Sequence, residues 1–593
     1  MGFSFKGRSD VGVKDVSDHS DPAAVEAGAN SKMGSIDASV ENAGRAPDEN
    51  AQGGVQQVEA MTLSWSKGNL IAVFANIWCL YLVNAWQSAI LSSLLSYATS
   101  DFDGHSLLNV IPVVSSAMTA AMFMPVAKLL DLWGRPQGFA IMVGFATLGL
   151  ILTATSHSIA ALAAANVFTS LGFSGIIYCI DVVTADVSTL RNRALAYAFT
   201  SSPYMITSFA GPKAAEAFQA NTDLTWRWGF GIFAIILPIV ASPLFFVLRS
   251  ALSKAKQNGT LVERQKSGRT LLQSIWYYII QFDAAGVILF SIGLTVFLLP
   301  FNIAATAADG WGSGYIIAMI VLGVVFLGIF FAYETWMAPV PLLGLVYMTD
   351  RTVIGACLIN ATYQISYYCW NNLFSSFLQV VNNLSIAEAG YVNNTFTVVS
   401  GFLLFGVGFA IRRTNHFKWL LYIGVPIYIF SQGLMIYFRR PDQSVGYLIM
   451  CQVLISIGGN IFIIVCQLAI LAAVDHQHVA TALALLNVVG TVGGAMGGTI
   501  SGAIWTNTFP QALEMYLPES ELGNVTAIAG DITVQLGYEM GSEARIGIQN
   551  AYGYAQTRML AAGTGIMALA LIWMFMVRNI NVGKKPQVVG TVF

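Results

Sequence analysis

The sequence has little charge. Only 10% of its 593 residues are Asp, Glu, Lys or Arg, whereas 55% are hydrophobic. Ordinary soluble domains carry about 25% charged residues, so this composition excludes a soluble protein and indicates a polytopic membrane protein. No basic patch with interleaved aromatic residues is present, and the net charge is −2. We therefore expect no nucleic-acid partner.

Cysteines are also few: there are 6, and none belongs to a CxxC pair. Each lies inside an apolar run, which excludes a zinc-binding pattern and a secreted disulfide scaffold. The sequence shows no His, Cys and Asp cluster with metal-ligand spacing. It also shows no trio of nucleophile, base and orienting residue. We therefore predict no cofactor, no metal site and no enzymatic activity.

Long apolar segments dominate the chain instead. A helix crosses the hydrocarbon core of a bilayer in about 20 apolar residues, and fourteen segments of the sequence satisfy this requirement. These segments are residues 70–97, 107–130, 139–155, 159–183, 195–218, 228–248, 284–303, 315–333, 353–377, 391–411, 419–438, 447–472, 480–505 and 559–577. The first 65 residues are polar, contain no apolar region of a signal peptide, and have the composition of a disordered tail.

The distribution of Lys and Arg in the loops predicts the orientation. With the N-terminus in the cytoplasm, the inner loops and the final tail carry seventeen Lys and Arg residues, and the outer loops carry five. Both termini are then cytoplasmic. The predicted organisation is a disordered cytoplasmic tail (1–65), a six-helix bundle (66–248), a cytoplasmic linker (249–283), two central helices (284–335), a second six-helix bundle (336–578) with an outer loop (507–557), and a cytoplasmic tail (579–593).

The turn between the second and third segments reads "AKLLDLWGRPQGF". It resembles the major facilitator signature, Gly-x-x-x-Asp-x-x-Gly-Arg-Lys/Arg, through Asp131, Gly134 and Arg135. Ala127 replaces the first glycine and Pro136 the last basic residue. The resemblance implies an all-α major facilitator fold of fourteen transmembrane helices, two six-helix bundles and two extra central helices. It also implies that these three residues form a conformational latch.

A finer resemblance begins at the fourth segment, which continues as "YCIDVVTADVSTLRNRALAYAF". This stretch and the long outer loop are similar to the fungal siderophore–iron transporters, and the similarity covers nearly the whole chain after Trp65. It implies proton symport of an intact ferric siderophore, of the hydroxamate class. The implied partners are the siderophore, protons and the lipid bilayer, and we expect a monomer. The implied location is the plasma membrane, or else an endosomal or vesicular membrane.

Two other functions compete with this interpretation. A proton-coupled drug or toxin exporter carries Gly-x-x-x-Gly-Pro-x-x-Gly-Gly in its fifth helix, and only Gly211 and Pro212 of that motif survive here. A non-transporting receptor that senses siderophore is the second alternative. The charges inside the predicted bundle weakly disfavour a receptor.

Charged residues inside a membrane-spanning bundle are costly and usually face protein or water. Asp181 lies near the cytoplasmic end of the fourth segment, where we expect it either to exchange the coupling proton or to pair with Arg191 or Arg193. Lys213 and Glu216, three residues apart, form either a structural pair or a part of the proton-coupling site.

Polar and aromatic side chains predict the substrate cavity. In the ninth segment they recur at helical spacing and share one face, which favours either stacking on an amide-rich ligand or helix packing. The first segment carries three further amides on one face. The predicted substrate-binding residues of these two segments are Asn76, Asn84, Gln87, Asn360, Tyr363, Tyr367, Trp370 and Asn371.

The outer loop adds Tyr552 and Tyr554 to the predicted substrate site, either to capture the ligand or to anchor the helix at the membrane interface. Asn383 and Asn524 begin N-x-S/T patterns on the outside and are candidate glycosylation sites. His476 lies in a short inner turn, "DHQHVA", that we expect to be solvated.

Overall fold

The computed structural model describes most of the chain as helices joined by short turns. The described residues are 53–100, 110–220, 226–258, 270–304, 307, 309–340, 349–584 and 592–593. No strand occurs within these ranges, so the predicted all-α fold class is confirmed for them.

We number the helices in chain order. The first part of the chain contains α1 Gly53–Ser64, α2 Lys67–Ser100, α3 Val110–Trp133, α4 Arg135–Ala154, α5 Ile159–Asp186, α6 Arg193–Ser201, α7 Pro203–Ala220 and α8 Trp226–Gln257. The middle contains α9 Leu271–Gln281, α10 Ala284–Leu298, α11 Pro300–Ile303 and α12 Gly314–Trp336. The last part contains α13 Arg351–Asn371, α14 Phe374–Val380, α15 Ile386–Asn393, α16 Thr395–Thr414, α17 Lys418–Phe438, α18 Val445–Ala473, α19 Val479–Tyr516, α20 Val525–Gly530, α21 Ile532–Gly537, α22 Glu543–Ala568 and α23 Ala570–Met576.

The number of membrane crossings is supported in part. Among the described residues, 10 helical spans are long and apolar enough to cross a membrane, and there are 11 when α9 and α10, bent by 45°, count as one. Three further predicted segments form α3, α6 with α7, and α13, which fall outside this count. The total of fourteen therefore stays a prediction.

Side-chain caps set several helix starts. Ser158, Asp350, Ser444 and Ser542 each accept a hydrogen bond from a backbone N–H in the first turn of the helix that follows. Such caps satisfy donors that have no partner inside the helix. The break between α6 and α7 falls directly before Pro203, whose ring nitrogen cannot donate to the preceding turn.

The long helices pack into two bundles. In the first, α4 packs against α5 and α8, and α3 lies against α5. In the second, α13 packs against α19, α17 against α18, and α19 against α22. Two seams join the bundles: α3 meets α19, and α6 and α7 meet α16.

The central helices attach to the first bundle through buried charge. Helix α10 packs against α12 and α3, and Asp283 and Glu334 at their ends are only 2% and 4% exposed. Lys128 of α3 lies near both carboxylates. Because an uncompensated buried carboxylate is costly, this lysine helps hold the central pair against the bundle.

The structure places helices within three predicted non-spanning segments, whose domain boundaries stay predictions. Residues 53–64, assigned above to a disordered tail, form α1. The predicted linker 249–283 contains the end of α8 and all of α9. The predicted outer loop 507–557 is mostly helical, since α19 runs to Tyr516 and α22 begins at Glu543. Helices α8, α19 and α22 extend beyond the apolar runs that mark the bilayer core, whereas α1 and α9 are separate helices.

Both ends of the described chain lie at the same end of the bundles. We call it the latch end and define it by residues 130–135 and 187–193. The Val582 N–H donates to the Asn415 carbonyl, just after α16, over 3.0 Å, and the Phe593 N–H donates to the Val187 carbonyl over 3.0 Å. Helix α1 packs against α3 at this end. This placement is consistent with an even number of crossings.

Candidate functional site

Asp181 is the centre of a polar cluster between the two bundles. Tyr81 of α2 donates its hydroxyl hydrogen to Asp181 Oδ1 over 2.5 Å. Tyr197 of α6 donates to the main-chain oxygen of Asp181 over 3.0 Å. The side-chain amide of Gln467, on α18 of the second bundle, lies near the carboxylate. One carboxylate therefore contacts helices of both bundles.

The two arginines expected as alternative partners of Asp181 donate to main-chain carbonyls. Arg191 Nε donates to the Arg412 carbonyl over 3.1 Å, and Arg193 Nη2 donates to the carbonyls of Ala185 and Ser188. The hydrogen-bond donor to the Asp181 carboxylate is instead the neutral hydroxyl of Tyr81, and the neutral amide of Gln467 lies near it. Exchange of the coupling proton by Asp181 stays a prediction.

The amides of α2 extend the cluster. Asn84 Nδ2 donates to the Tyr204 hydroxyl over 2.7 Å, and the Tyr204 ring lies edge-on to Tyr81. Gln87 is 5% exposed, and its Nε2 has no hydrogen-bond partner among the described residues. Asn76 Nδ2 donates to the Ala72 carbonyl of its own helix. The structure therefore brings Asn84 near Asp181 and gives Asn76 a local partner.

The aromatic face of α13 is divided between packing and the interior. Trp370 is fully buried and donates through Nε1 to the Tyr428 hydroxyl over 3.2 Å, and Tyr363 is also buried. Both rings contact aromatic neighbours, including Phe396 for Trp370. Tyr367 is only half-buried. Of these three rings, Tyr367 is thus the most exposed, and its contact with a ligand stays a prediction.

The predicted asparagines of α13 lie at different depths. Asn360 Nδ2 donates to the Leu486 carbonyl on α19 over 3.1 Å. Asn371 is half-buried at the last residue of the helix. Neither observation tests ligand binding, so the assignment of both residues to the substrate site stays a prediction.

The predicted latch forms a buried ion cluster. Arg135 Nη1 lies 2.9 Å from Asp131 Oδ1, and Arg135 Nε lies 2.9 Å from Asp186 Oδ2. All three residues are at most 3% exposed. Gly134 between them has φ = 102°, a conformation that favours glycine. Asp186 at the end of α5 is a member of the cluster that the motif alone does not reveal.

His476 contradicts the expectation of a solvated turn. It belongs to the second bundle but is only 9% exposed, and both ring nitrogens lack a hydrogen-bond partner among the described residues. Burial lowers the pKa of His476; Asp186 opposes this effect, whereas Arg135 and Arg193 reinforce it. The imidazole therefore faces the latch cluster of the first bundle across the seam.

The latch end is closed by contacts between the bundles. The Tyr178 hydroxyl donates to the Ala480 carbonyl over 2.7 Å, which joins α5 to α19. Leu195 lies so close to Gly408 that a Cβ at position 408 would meet its side chain at 3.0 Å. Together with the bond between Arg191 and Arg412, these contacts bring the two bundles together at this end.

The segment between α19 and α22 covers the other end of the second bundle. Tyr552 is 2% exposed and donates to Gln535 Oε1 over 2.8 Å. Tyr554 is half-buried, and the Arg558 guanidinium lies 3.4 Å from its ring centroid. Tyr552 is thus held inside the segment, whereas Tyr554 retains an accessible face.

The remaining predicted sites are only partly described. Lys213 is exposed on α7, but the side chain of Glu216 lies outside the described residues, so their pairing stays a prediction. Asn383 and Asn524 are both exposed. Asn524 Nδ2 donates to Glu521 Oε2 over 2.8 Å. Exposure alone does not show whether either asparagine is glycosylated, so both sites stay predictions.

Sequence reasoning missed the partners of Asp181 and of the latch. Tyr81 and Gln467 lie far from Asp181 along the chain, and His476 was assigned to solvent. The only sequence signal was the polar character of each residue inside an apolar segment.

Among the described residues, no group of three or more His, Cys, Asp or Glu side chains is placed to hold a metal ion.

The sequence matches the model of the Major Facilitator Superfamily over residues 77–359. It is 58% identical to Siderophore iron transporter mirB of Emericella nidulans, covering 92% of this chain and 90% of that protein. It is 54% identical to MFS siderochrome iron transporter 1 of Gibberella zeae, over 92% of this chain and 89% of the relative.

Solved structures show the same fold at low sequence identity. The human organic anion transporter MFSD10 aligns with a TM-score of 0.52 at 12% identity, covering 86% of this chain and 99% of the other. A bacterial homolog of the human lysosomal transporter Spinster, in an inward-facing unoccupied conformation, aligns with a TM-score of 0.51 at 16% identity, covering 86% and 98%.

Proposed function

The chain belongs to the fungal siderophore iron transporters of the Major Facilitator Superfamily, and from this premise we propose that it imports ferric siderophores of the hydroxamate class by proton symport. It is a membrane transporter and not an enzyme. We place the latch end in the cytoplasm and the protein, as a monomer, in the plasma membrane, with an endosomal or vesicular membrane as the alternative.

The contact of Asp181 with both bundles is the observation that supports proton coupling. Its carboxylate accepts a hydrogen bond from Tyr81 of the first bundle and lies near Gln467 of the second. An ionised carboxylate accepts hydrogen bonds only, whereas a protonated one also donates. A change in its protonation would therefore alter a contact between the bundles, which is what a symporter requires.

Transport then follows from rocking of the two bundles around the site. With the latch end closed, siderophore enters from outside and meets the interior faces of α2 and α13. A proton binds Asp181 from the same side. The loaded protein then opens at the latch end, which requires separation of the Tyr178–Ala480 and Leu195–Gly408 contacts. It releases the siderophore and the proton to the cytoplasm.

The decisive experiment measures uptake of several labelled ferric siderophores by a strain that lacks its own transporters. We expect uptake of hydroxamate siderophores that stops when the proton gradient is collapsed. Accumulation that persists without the gradient would contradict proton symport. Efflux of preloaded drug, with no siderophore uptake, would instead favour the exporter alternative.

The coupling residue is tested by Asp181→Asn, which keeps the side-chain size but cannot titrate. We expect normal abundance and siderophore binding, exchange of labelled for unlabelled siderophore, and loss of accumulation against a gradient. Asp442→Asn, at an exposed aspartate, is the matched control and should accumulate normally. Proton-dependent accumulation in the Asp181→Asn variant would remove Asp181 from the coupling mechanism.

A further inference from the structure

Helix α1 is buried on one side although it precedes the first spanning helix. Val55, Val58, Met61 and Thr62 are at most 3% exposed, and Trp65, just beyond the helix, is 6% exposed. These positions recur at spacings of three and four residues, so they share one face. That face packs against α8 and α3 at the latch end.

The contact reaches the backbone of the latch. A Cβ at Gly54 would meet the Leu130 carbonyl oxygen and would lie 2.7 Å from the Asp131 carbonyl oxygen. Gln57, one turn later, lies against Gly134, where a Cβ would meet Gln57 Oε1 and lie 3.2 Å from its Cδ. Position 54 therefore accepts only a glycine without movement of α1.

The same helix covers the latch cluster from outside. Val58, Met61 and Thr62 of α1 line one side of a small cavity, and Arg135 and Asp186 line the other. Water screens exposed ion pairs and weakens them. Because α1 excludes water from this cluster, the ion pairs of Arg135 are less screened and depend on the position of α1.

We propose that α1 is a positioning element for the latch: it packs on the Leu130–Arg135 turn and covers Arg135 and Asp186, and so favours the conformation that is closed at the latch end. This inference rests on the transporter function proposed above. The helices that α1 packs against, α3 and α8, belong to the first bundle, and so do Arg135 and Asp186. Helix α1 therefore acts through the latch and does not itself bridge the bundles.

A buried position at the seam reports the conformation. Ala480 is 1% exposed behind Tyr178, so a cysteine there should react with a water-soluble maleimide only when the latch end opens. Cys79 is the exposed native cysteine among the six, and the other five are buried. The reporter protein therefore carries Cys79→Ser and Ala480→Cys.

The main test is Gly54→Leu, with Gly68→Leu as the control because a Cβ at Gly68 meets only Ser66 Oγ at 3.7 Å. We expect several-fold faster labelling of Ala480→Cys in the Gly54→Leu variant and no change in the control. The half-saturation concentration for uptake should also rise several-fold, because fewer molecules present the outward-facing site.

Truncation gives a second, independent test. Removal of residues 1–45 keeps α1, whereas removal of residues 1–65 deletes it. We expect wild-type labelling in the first truncation and faster labelling in the second. Equal labelling in both truncations, or a loss of abundance with unchanged labelling of the remaining molecules, would overturn the proposal. Labelling needs neither siderophore nor a proton gradient, so its outcome is separate from that of the uptake experiment.

Discussion

Tyr367 and Trp370 lie next to each other on α13 but differ in burial. Trp370 is fully buried against Tyr428, and Tyr367 is half-buried. We expect Tyr367→Ala to raise the half-saturation concentration for uptake several-fold at near-normal abundance, because a stacking ring contributes about 1 kcal/mol. Trp370→Ala should instead lower abundance and melting temperature, since such truncations cost roughly 3–5 kcal/mol.

Uptake kinetics and thermal melting of the purified variants distinguish these effects. Tyr422→Ala, at a tyrosine that is 45% exposed, is the control and should change neither quantity. If Tyr367→Ala reduces only abundance, the whole face of α13 serves packing, and the cavity lies elsewhere.

The burial of His476 predicts that closure at the latch end depends on pH. Its pKa is lowered in the closed conformation chiefly by burial, with Arg135 and Arg193 acting in the same sense and Asp186 opposing. Opening exposes the ring to water, where its pKa returns toward about 6.5. The open form then binds the proton more readily, so the closed form is fully favoured above this pH and loses its advantage as pH falls below it.

We therefore expect labelling of Ala480→Cys to accelerate as pH falls below about 6.5, once corrected for the reactivity of a model thiol. His476→Gln should remove this acceleration. His478→Gln is the matched control on the same turn, which also carries Asp475, and should retain it. An unchanged pH profile in His476→Gln would show that another group senses pH.

A buried arginine, Arg545, helps hold the segment between α19 and α22. Arg545 is 1% exposed and donates through Nε to the Val380 carbonyl over 3.1 Å and through Nη1 to the Gln535 carbonyl. We expect Arg545→Ala to free the segment, because charge-assisted hydrogen bonds contribute about 1.5–3 kcal/mol each. Limited proteolysis should then cut within residues 517–542.

The neighbouring Arg558 provides the control for this prediction. It is exposed and lies over the Tyr554 ring, so Arg558→Ala should leave the protease pattern unchanged. Resistance of Arg545→Ala to proteolysis would show that the other contacts of the segment, which include the hydrogen bond from Tyr552 to Gln535, hold the short helices in position.

The elements that could be predicted are those with long apolar runs. Segments such as 447–472 and 315–333 match α18 and α12 within a few residues, because crossing a bilayer requires a continuous apolar length. Helix α1 was missed because its apolar residues cover only one face. The helical spacing of its apolar residues is visible in "GGVQQVEAMTLSW". The polar composition of the residues before it nevertheless favours a disordered tail.

The candidate site could be predicted only residue by residue. Asp181 and Arg135 stand out because charge is rare within apolar segments. Their partners did not, since Tyr81 is separated from Asp181 by 100 residues and nothing local links them. Burial of Trp370 was equally hidden, because a polar-aromatic face has the same spacing whether it meets a ligand or a neighbouring helix.

Two seams join the bundles, and we expect them to control how the bundles move. Helix α3 meets α19 beside the latch, and α6 and α7 meet α16. Asn394 Nδ2 donates to the Ser208 carbonyl along the second seam over 2.9 Å. Because packed interfaces change between discrete arrangements rather than continuously, a steric change at one seam should shift the conformation of the whole protein.

Gly408 on α16 tests this expectation at the latch end. A Cβ at this position would lie 3.0 Å from Leu195 Cδ2 and 3.1 Å from the Leu195 nitrogen, so a larger side chain must push the bundles apart. We expect Gly408→Leu to accelerate labelling of Ala480→Cys several-fold and to raise the half-saturation concentration for uptake. Gly406→Leu, where a Cβ meets nothing within 4 Å, should leave both at the wild-type value. If Gly408→Leu labels at the wild-type rate at normal abundance, the α6–α16 seam does not control closure, and the contacts of α19 with the first bundle close the latch end.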